Sequence, residues 1–272
     1  MGLKTHTPGF TAIVLAADRA AGDAVAAAAG VACKCLTPVA GTPMIIRVLD
    51  ALNGAARIGE CVLCGPPLAV VESSSALSER LASPHVSWMA NRATPSTSTL
   101  NALNKLPGTV PVLVTTADHA LLSPEMIDYF CSSARDTGCD LVAAVADHET
   151  IAAAFPGMRR TVTRLKDGAF CGCNLFAFMT SRARQAADFW RRVERQRKKP
   201  WRVVGALGPV VVVRYLIGLL TLDEALSRLS RRLEMRIGVV KMPFAEAAVD
   251  VDTVSDWRFV EKIAAAKHAA SR

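Results

Sequence analysis

The strongest constraint on this chain is an alternation along its length. Short apolar runs rich in β-branched residues recur, and each is followed by a stretch carrying helix signals. Residues 11–16 (TAIVLA), 60–64, 86–89, 110–116 (VPVLVTT) and 140–146 read as strands. The most apolar of these show no polar face, as expected of strands covered on both sides. Between them lie helical stretches at 42–53, with Pro43 in its first turn, and at 96–105, opened by Ser and Thr. A further helix starts after Ser123, with Pro124 at its first helical position and Glu125 and Asp128 nearby. Parallel neighbours need long crossovers and helices supply them, so the expected class is α/β. Its core would be a Rossmann-like, mostly parallel mixed sheet flanked by helices.

After Gly168 the pattern changes. Residues 174–179 read as a strand, 181–199 as a strongly basic helix, 203–220 as a very apolar run and 222–233 as a helix. Residues 236–241 and 247–251 look like returning strands, and 254–268 form a last amphipathic helix. The reading is one domain over 1–272, with 181–235 as a helical insertion or subdomain.

At 51% hydrophobic and 21% charged, the chain has the composition of a globular protein, not a disordered one. A net charge of +8 suits anionic partners without choosing among nucleotides, phosphorylated metabolites, nucleic acid and lipid. The first residues lack the longer apolar region of a secretory signal, so a cytoplasmic setting with reduced thiols is expected. The eight cysteines fall as Cys33/Cys35, Cys61/Cys64, Cys171/Cys173, Cys131 and Cys139. No His stands at a ligand spacing from them, so buried thiols are favoured over structural zinc.

Open α/β sheets bind ligands at the carboxyl ends of their strands, and three features fall there. The first is the loop 16–34, with Gly22, Gly30, Arg19 and a terminal Lys34. Small residues let backbone N–H groups approach phosphate, and Arg and Lys bring countercharge; an alanine-rich linker is the plain alternative. The second is Asp118, just past VPVLVTTA. There a carboxylate can hold Mg²⁺ between triphosphate oxygens, or simply cap a turn. The third is VDVDT at 249–253, where Asp250 and Asp252 follow an apolar run and one can be a second metal carboxylate.

Taken in order, these pieces resemble the MobA-like NTP transferases, a GT-A-type nucleotidyltransferase family. Leu15-Ala16-Ala17, Lys34, Leu36, Pro38-Val39, Gly41 and Pro43-Met44 match its first loop and the segment after it. Thr116-Ala117-Asp118-His119, with Leu122 and Pro124, matches the turn bearing its central aspartate. Gly172-Cys173-Asn174 matches its G-G-N segment, and Asp250-Val251-Asp252-Thr253 with Asp256 matches its D-x-D-T-x-x-D ending. The resemblance covers 11–180 and 237–268.

It implies Mg²⁺-dependent transfer of a nucleoside monophosphate from an NTP to a small phosphorylated acceptor, a sugar- or alcohol-phosphate or a lipid-linked one, with release of pyrophosphate. Arg19 and Lys34 would neutralise triphosphate charge, beside the small residues Ala16, Ala17 and Gly22. Asp118 would hold the metal together with Asp252, with Asp250 as second choice. Ser96, Thr97 and Ser98 would lie near base and ribose, and Asn174 near the acceptor. The chain departs from the pattern at Ala17, Asp18, Ala117 and Cys173, where the family has small or glycine residues.

The remaining features divide similarly. The basic helix, with Arg182, Arg184, Arg191, Arg192, Arg195, Arg197, Lys198 and Lys199, has no stacking aromatics of a nucleic-acid motif, so no nucleic-acid partner is expected. The apolar run 203–220 is interrupted by Gly208-Pro209 and holds Arg214. Ordinary burial is its first reading, and peripheral membrane or lipid contact through 182–220 the second. Self-association stays open. Trp88, Trp201 and Trp257 read as packing residues. The competing functions are glycosyl transfer from a nucleotide sugar, which usually places D-x-D in mid-chain, and a catalytically silent nucleotide-binding protein.

Overall fold

A computed structural model describes residues 9–18, 22–194 and 209–270. In chain order the strands are β1 (Phe10–Leu15), β2 (Pro38–Val39), β3 (Thr42–Pro43), β4 (Ile58–Cys64), β5 (Val86–Met89), β6 (Val112–Thr116), β7 (Leu141–Asp147), β8 (Thr163–Leu165), β9 (Gly168–Phe178) and β10 (Ile237–Lys241). The helices are α1 (Ala24–Ala29), α2 (Met44–Gly54), α3 (Leu68–Ser73), α4 (Ser75–Leu81), α5 (Pro95–Lys105), α6 (Pro124–Asp136), α7 (His148–Ala154) and α8 (Ala186–Glu194). Then come α9 (Pro209–Leu216), α10 (Leu222–Leu233) and α11 (Val254–Ala270).

Eight strands form one sheet in the order β10-β7-β9-β6-β1-β4-β5, with β8 on β9. β1 runs parallel to β4 and β6, β4 to β5, and β10 to β7, while β9 is antiparallel to both β6 and β7. The carboxyl ends of β1, β4, β5, β6, β7 and β10 therefore share one edge, together with the start of β9. β1 shows why the sheet is sandwiched. Phe10, Ala12 and Val14 face a core shared with α2 and α6, whereas Ile13 faces a second core containing Ala102 and Leu103 of α5 and Ala187 of α8. All four are fully buried, so truncating Ile13 to Ala would cost about 2–5 kcal/mol. α6 turns Met126, Ile127, Phe130, Cys131 and Ala134 inward at helical spacing. Its N-cap is the expected one, with Ser123 Oγ accepting from the Met126 N–H.

The structure corrects the expected elements in several places. The alanine-rich stretch after β1 holds a helix, α1: alanine is the best helix former, Asp23 caps its start, and Gly30 at φ 66° closes its end. Pro43 belongs to a short hairpin, so α2 starts only at Met44. The basic stretch breaks into a 3-10 turn (Arg182–Gln185) and α8. There the Arg184 guanidinium turns inward onto the carbonyls of Leu103, Leu106 and Pro107 at the end of α5. The expected strand at 247–251 is a 3-10 turn (Ala245–Ala248) followed by extended chain; Val251 bonds to the Asp118 carbonyl at 3.1 Å and has no ladder partner. β8, α3, α4 and α7, too short for a periodic signal, were missing from the reading. Arg195, Arg197, Lys198, Lys199, Trp201 and residues 203–208 lie outside the described residues.

In the second half, α10 packs Leu226, Leu229 and Leu233 against Met235 and Ile237. α9 buries Val211 but exposes Val210, Val213 and Leu216, with Ile217 and Leu219 just beyond it. Among the described residues no helix is long and apolar enough to cross a membrane.

Candidate active site

The site lies at the shared strand edge and is assembled by three returns of the chain. Beyond β1 the Asp18 carboxylate accepts the Lys34 backbone N–H with both oxygens at 3.1 Å, which folds the 18–34 excursion back on its origin. Lys34 then opens a 3-10 turn (Lys34–Leu36). Its ammonium donates to Asp118 Oδ2 at 2.7 Å and lies 3.4 Å from Asp252 Oδ1. The Val251 N–H bond to the Asp118 carbonyl pins the third segment to the second. Lys34 and Asp118 are largely buried, whereas the Asp252 side chain is 53% exposed. Burial pushes the Lys34 ammonium down, but Asp118 and then Asp252 outweigh it and hold its pKa above the ordinary value.

A second cluster adjoins the first. Asn174 donates from Nδ2 to Asp250 Oδ2 at 2.6 Å, and the Arg160 guanidinium pairs with the other oxygen. Asn174 sits at φ 50°, beside a register shift between β7 and β9; such an irregularity re-aims a side chain at a strand end. Burial lowers the Arg160 pKa, yet Asp250 outweighs that and holds it above its usual range. His119 is buried, and burial pushes its pKa down despite the nearby Asp250 and Asp118.

A cavity of about 490 Å³ adjoins this junction through Asp18 and Cys33, while Lys34, Asp118 and Asp252 are not among its lining residues. Its lining includes Ala17, Asp18 and Gly22, then Asp23, Ala26 and Val31 of the α1 region, and Pro67, Val70 and Asn91. Gly65, at φ 76°, leaves room for Ala17, which a Cβ there would meet at 3.2 Å.

Of the residues singled out in the sequence, Lys34, Asp118 and Asp252 converge, Asp250 and Asn174 bond to each other, and Ala17 and Gly22 face the cavity. Ala16 is buried, its N–H bonded to the Cys64 carbonyl. Ser96, Thr97 and Ser98 stand at the start of α5. Thr97 completes a capping box with Thr94, Ser96 Oγ lies 3.0 Å from Thr94 Oγ1, and Ser98 Oγ accepts the Arg92 N–H. These hydroxyls shape the start of α5 and are not among the cavity-lining groups. Arg19 lies outside the described residues. Asn91 was missed although it follows β5, where the strand-end rule points; Arg160 carried no motif or periodic signal. Trp88 and Trp257 pack as expected, their indole N–H groups on the carbonyls of Pro66 and Pro38. The eight cysteines are free thiols.

Among the described residues no cluster of three or more His, Cys, Asp and Glu side chains forms a metal cage. The donors that converge on Lys34, Asp118 and Asp252, offer oxygen only. Two carboxylates completed by phosphate oxygens and water are a set that suits Mg²⁺ and not zinc.

The description of the MobA-like NTP transferase domain matches residues 12–212. A solved structure titled as a hypothetical transferase from Thermus thermophilus is 30% identical, over 92% of this chain and 99% of that one, with a TM-score of 0.74. A 4-diphosphocytidyl-2C-methyl-D-erythritol synthase from Anaerococcus prevotii is 13% identical over 94% of this chain and 96% of that one, with a TM-score of 0.54. The CMP:2-keto-3-deoxy-manno-octonic acid synthetase, complexed with CTP, is 12% identical over 95% and 100% of the two chains, with a TM-score of 0.55. At such identities the last two show a shared fold. No curated protein matches the chain.

Proposed function

The chain belongs to the MobA-like NTP transferase family, and from that membership we propose that it transfers a nucleoside monophosphate from an NTP to a small sugar- or alcohol-phosphate acceptor. The observation carrying the proposal is the Lys34 ammonium set between Asp118 and Asp252, beside a cavity at the strand ends. In this reading an acceptor phosphate oxygen attacks the α-phosphorus, the bond to the β-phosphate bridge breaks, and pyrophosphate leaves. No covalent enzyme intermediate is needed; positioning and charge neutralisation suffice.

Asp118 and Asp252 would hold Mg²⁺, which when bound supplies a Lewis acid for the triphosphate oxygens. Asp250 is assigned a different task, because both its oxygens already engage Arg160 and Asn174. Lys34 would turn from the carboxylates to the triphosphate, with Arg19 assigned the same countercharge role. Ala17 and Gly22 would leave room for the nucleotide, Asn91 of the same cavity lining would contact it, and Asn174 would face the acceptor.

A cytoplasmic site of action belongs to the same proposal, supported by the eight free thiols. Peripheral membrane contact through 182–220 is supported by the exposed Val210, Val213, Leu216 and Ile217.

The test is pyrophosphate release by the purified full chain with each NTP, Mg²⁺ and a panel of sugar- and alcohol-phosphates, CTP first because solved neighbours are cytidylyltransferases. Release with one NTP and acceptor pair, abolished by a chelator, supports the reading. Silence across the whole panel, with NTP binding absent as well, contradicts it.

A further inference from the structure

Lys34 is flanked in sequence by two cysteines, and the fold turns their sulfurs toward each other. Cys33 Sγ and Cys35 Sγ lie 3.2 Å apart, both buried. Cys33 also lines the 490 Å³ cavity, which brings a solvent-filled space against this residue. The turn they bracket holds the Lys34 N–H on Asp18 and the Lys34 ammonium on Asp118. We infer that Cys33 and Cys35 form an oxidisable dithiol, closed by a peroxide into a disulfide that draws Lys34 away from Asp118.

The chemistry balances as follows. The Cys33 thiolate attacks one peroxide oxygen and the O–O bond breaks, giving a sulfenic acid and, after protonation, water. The Cys35 sulfur then displaces the sulfenic hydroxyl, forming the S–S bond and a second water. Two thiols lose two protons and two electrons, and one peroxide accepts them.

Polarity within the pair suits this order. The hydrogen bond from Cys35 lowers the Cys33 thiol against the effect of its burial, while the same bond and burial raise Cys35. Elsewhere burial pushes the thiols of Cys61, Cys131 and Cys173 up to about 12 and that of Cys64 to about 11, which keeps them protonated and slow. Geometry then decides the consequence. A disulfide needs about 2.05 Å between sulfurs, so the pair must close by roughly 1 Å. Only Lys34 lies between the two residues, and the 3-10 turn that begins at Lys34 and includes Cys35 must deform.

The consequence for turnover rests on the proposed transferase reading; the disulfide and the displacement of Lys34 do not. The reduced full chain is treated with limiting hydrogen peroxide, labelled with iodoacetamide and trace acetic anhydride, digested and weighed. The peptide carrying residues 33 and 35 is expected to lose two hydrogens and resist alkylation before any other cysteine reacts, with dithiothreitol reversing both. Acetylation of Lys34 should rise several-fold in that form. Cys35→Ser should keep its reduced turnover and show no two-hydrogen loss. Full alkylation of both residues while other cysteines oxidise would overturn the dithiol, and unchanged Lys34 acetylation in the closed form would overturn the displacement. If reduced and oxidised protein alike release no pyrophosphate, the transferase reading fails, and the peptide masses still judge the dithiol.

Discussion

The Lys34 ammonium meets Asp118 Oδ2 at 2.7 Å, a contact between residues separated by 84 positions. It links the excursion after β1 to the turn after β6, and Asp252 faces the same nitrogen from the segment before α11. Three strand-edge segments thus share one cation, and the account's predictions start from that junction.

Lys34→Met should slow pyrophosphate release by about 10²–10³-fold, the scale for removing one preorganised charge from a developing anion. The same change removes the Lys34 contacts to Asp118 and Asp252, so the metal-free melting temperature should fall, and Mg²⁺ should recover part of the loss. A melting temperature that falls with turnover intact would assign Lys34 to the fold alone.

Asp250 and Asp252 are two residues apart yet should respond oppositely. Asp250→Asn breaks the pairing with Arg160 and weakens the bond from Asn174, so stability should drop by about 1–3 kcal/mol in urea denaturation. Asp252→Asn, at an exposed side chain, should leave the urea midpoint nearly unchanged and raise the Mg²⁺ concentration needed for half-maximal turnover. Interchanged phenotypes would reverse the metal assignment.

Thr97→Ala should cost about 1 kcal/mol through loss of the capping box with Thr94, while the KM for NTP stays the same. A raised KM at unchanged stability would return this hydroxyl to the nucleotide site, where the sequence pattern had put it.

Acid stability should hinge partly on Asp140. Burial raises its pKa, but the Arg236 N–H at 2.7 Å and the Thr180 hydroxyl at 3.0 Å, with the charges of Arg236 and Arg182, outweigh burial and hold it below the ordinary carboxylate value. A depressed folded-state pKa means that the carboxylate's contribution is present above about pH 3.9 and is lost as pH falls through the lowered value. Asp140→Asn should therefore be less stable than the parent near neutrality, the two curves converging as pH falls below the ordinary carboxylate value. A gap that stays constant with pH would exclude the ionised form as the cause.

What the sequence revealed and what it hid follow from range. β1, β6 and α6 were legible because burial on both faces, or Ser123-Pro124 at a helix start, is written locally. The convergence of Lys34, Asp118 and Asp252 was legible because all three follow strand-like runs whose carboxyl ends share one edge in an open α/β sheet. Arg160 was invisible, since its meaning depends on an Asp250 brought near by the fold. The segment around Asp250 misled for a related reason: it is as apolar as a strand, but Val251 bonds to Asp118 and not to a ladder. α1 was hidden by composition, because an alanine run bounded by Asp23 and Gly30 serves equally as helix or linker until its caps are seen.

The most direct measurement is Mn²⁺ binding, followed by its electron paramagnetic resonance signal, in the presence of saturating NTP. The account predicts that the wild-type chain binds Mn²⁺ together with the nucleotide, that Mg²⁺ competes it off, and that Asp118→Ala, still folded by circular dichroism, loses the site. Undiminished Mn²⁺ binding in Asp118→Ala would contradict it.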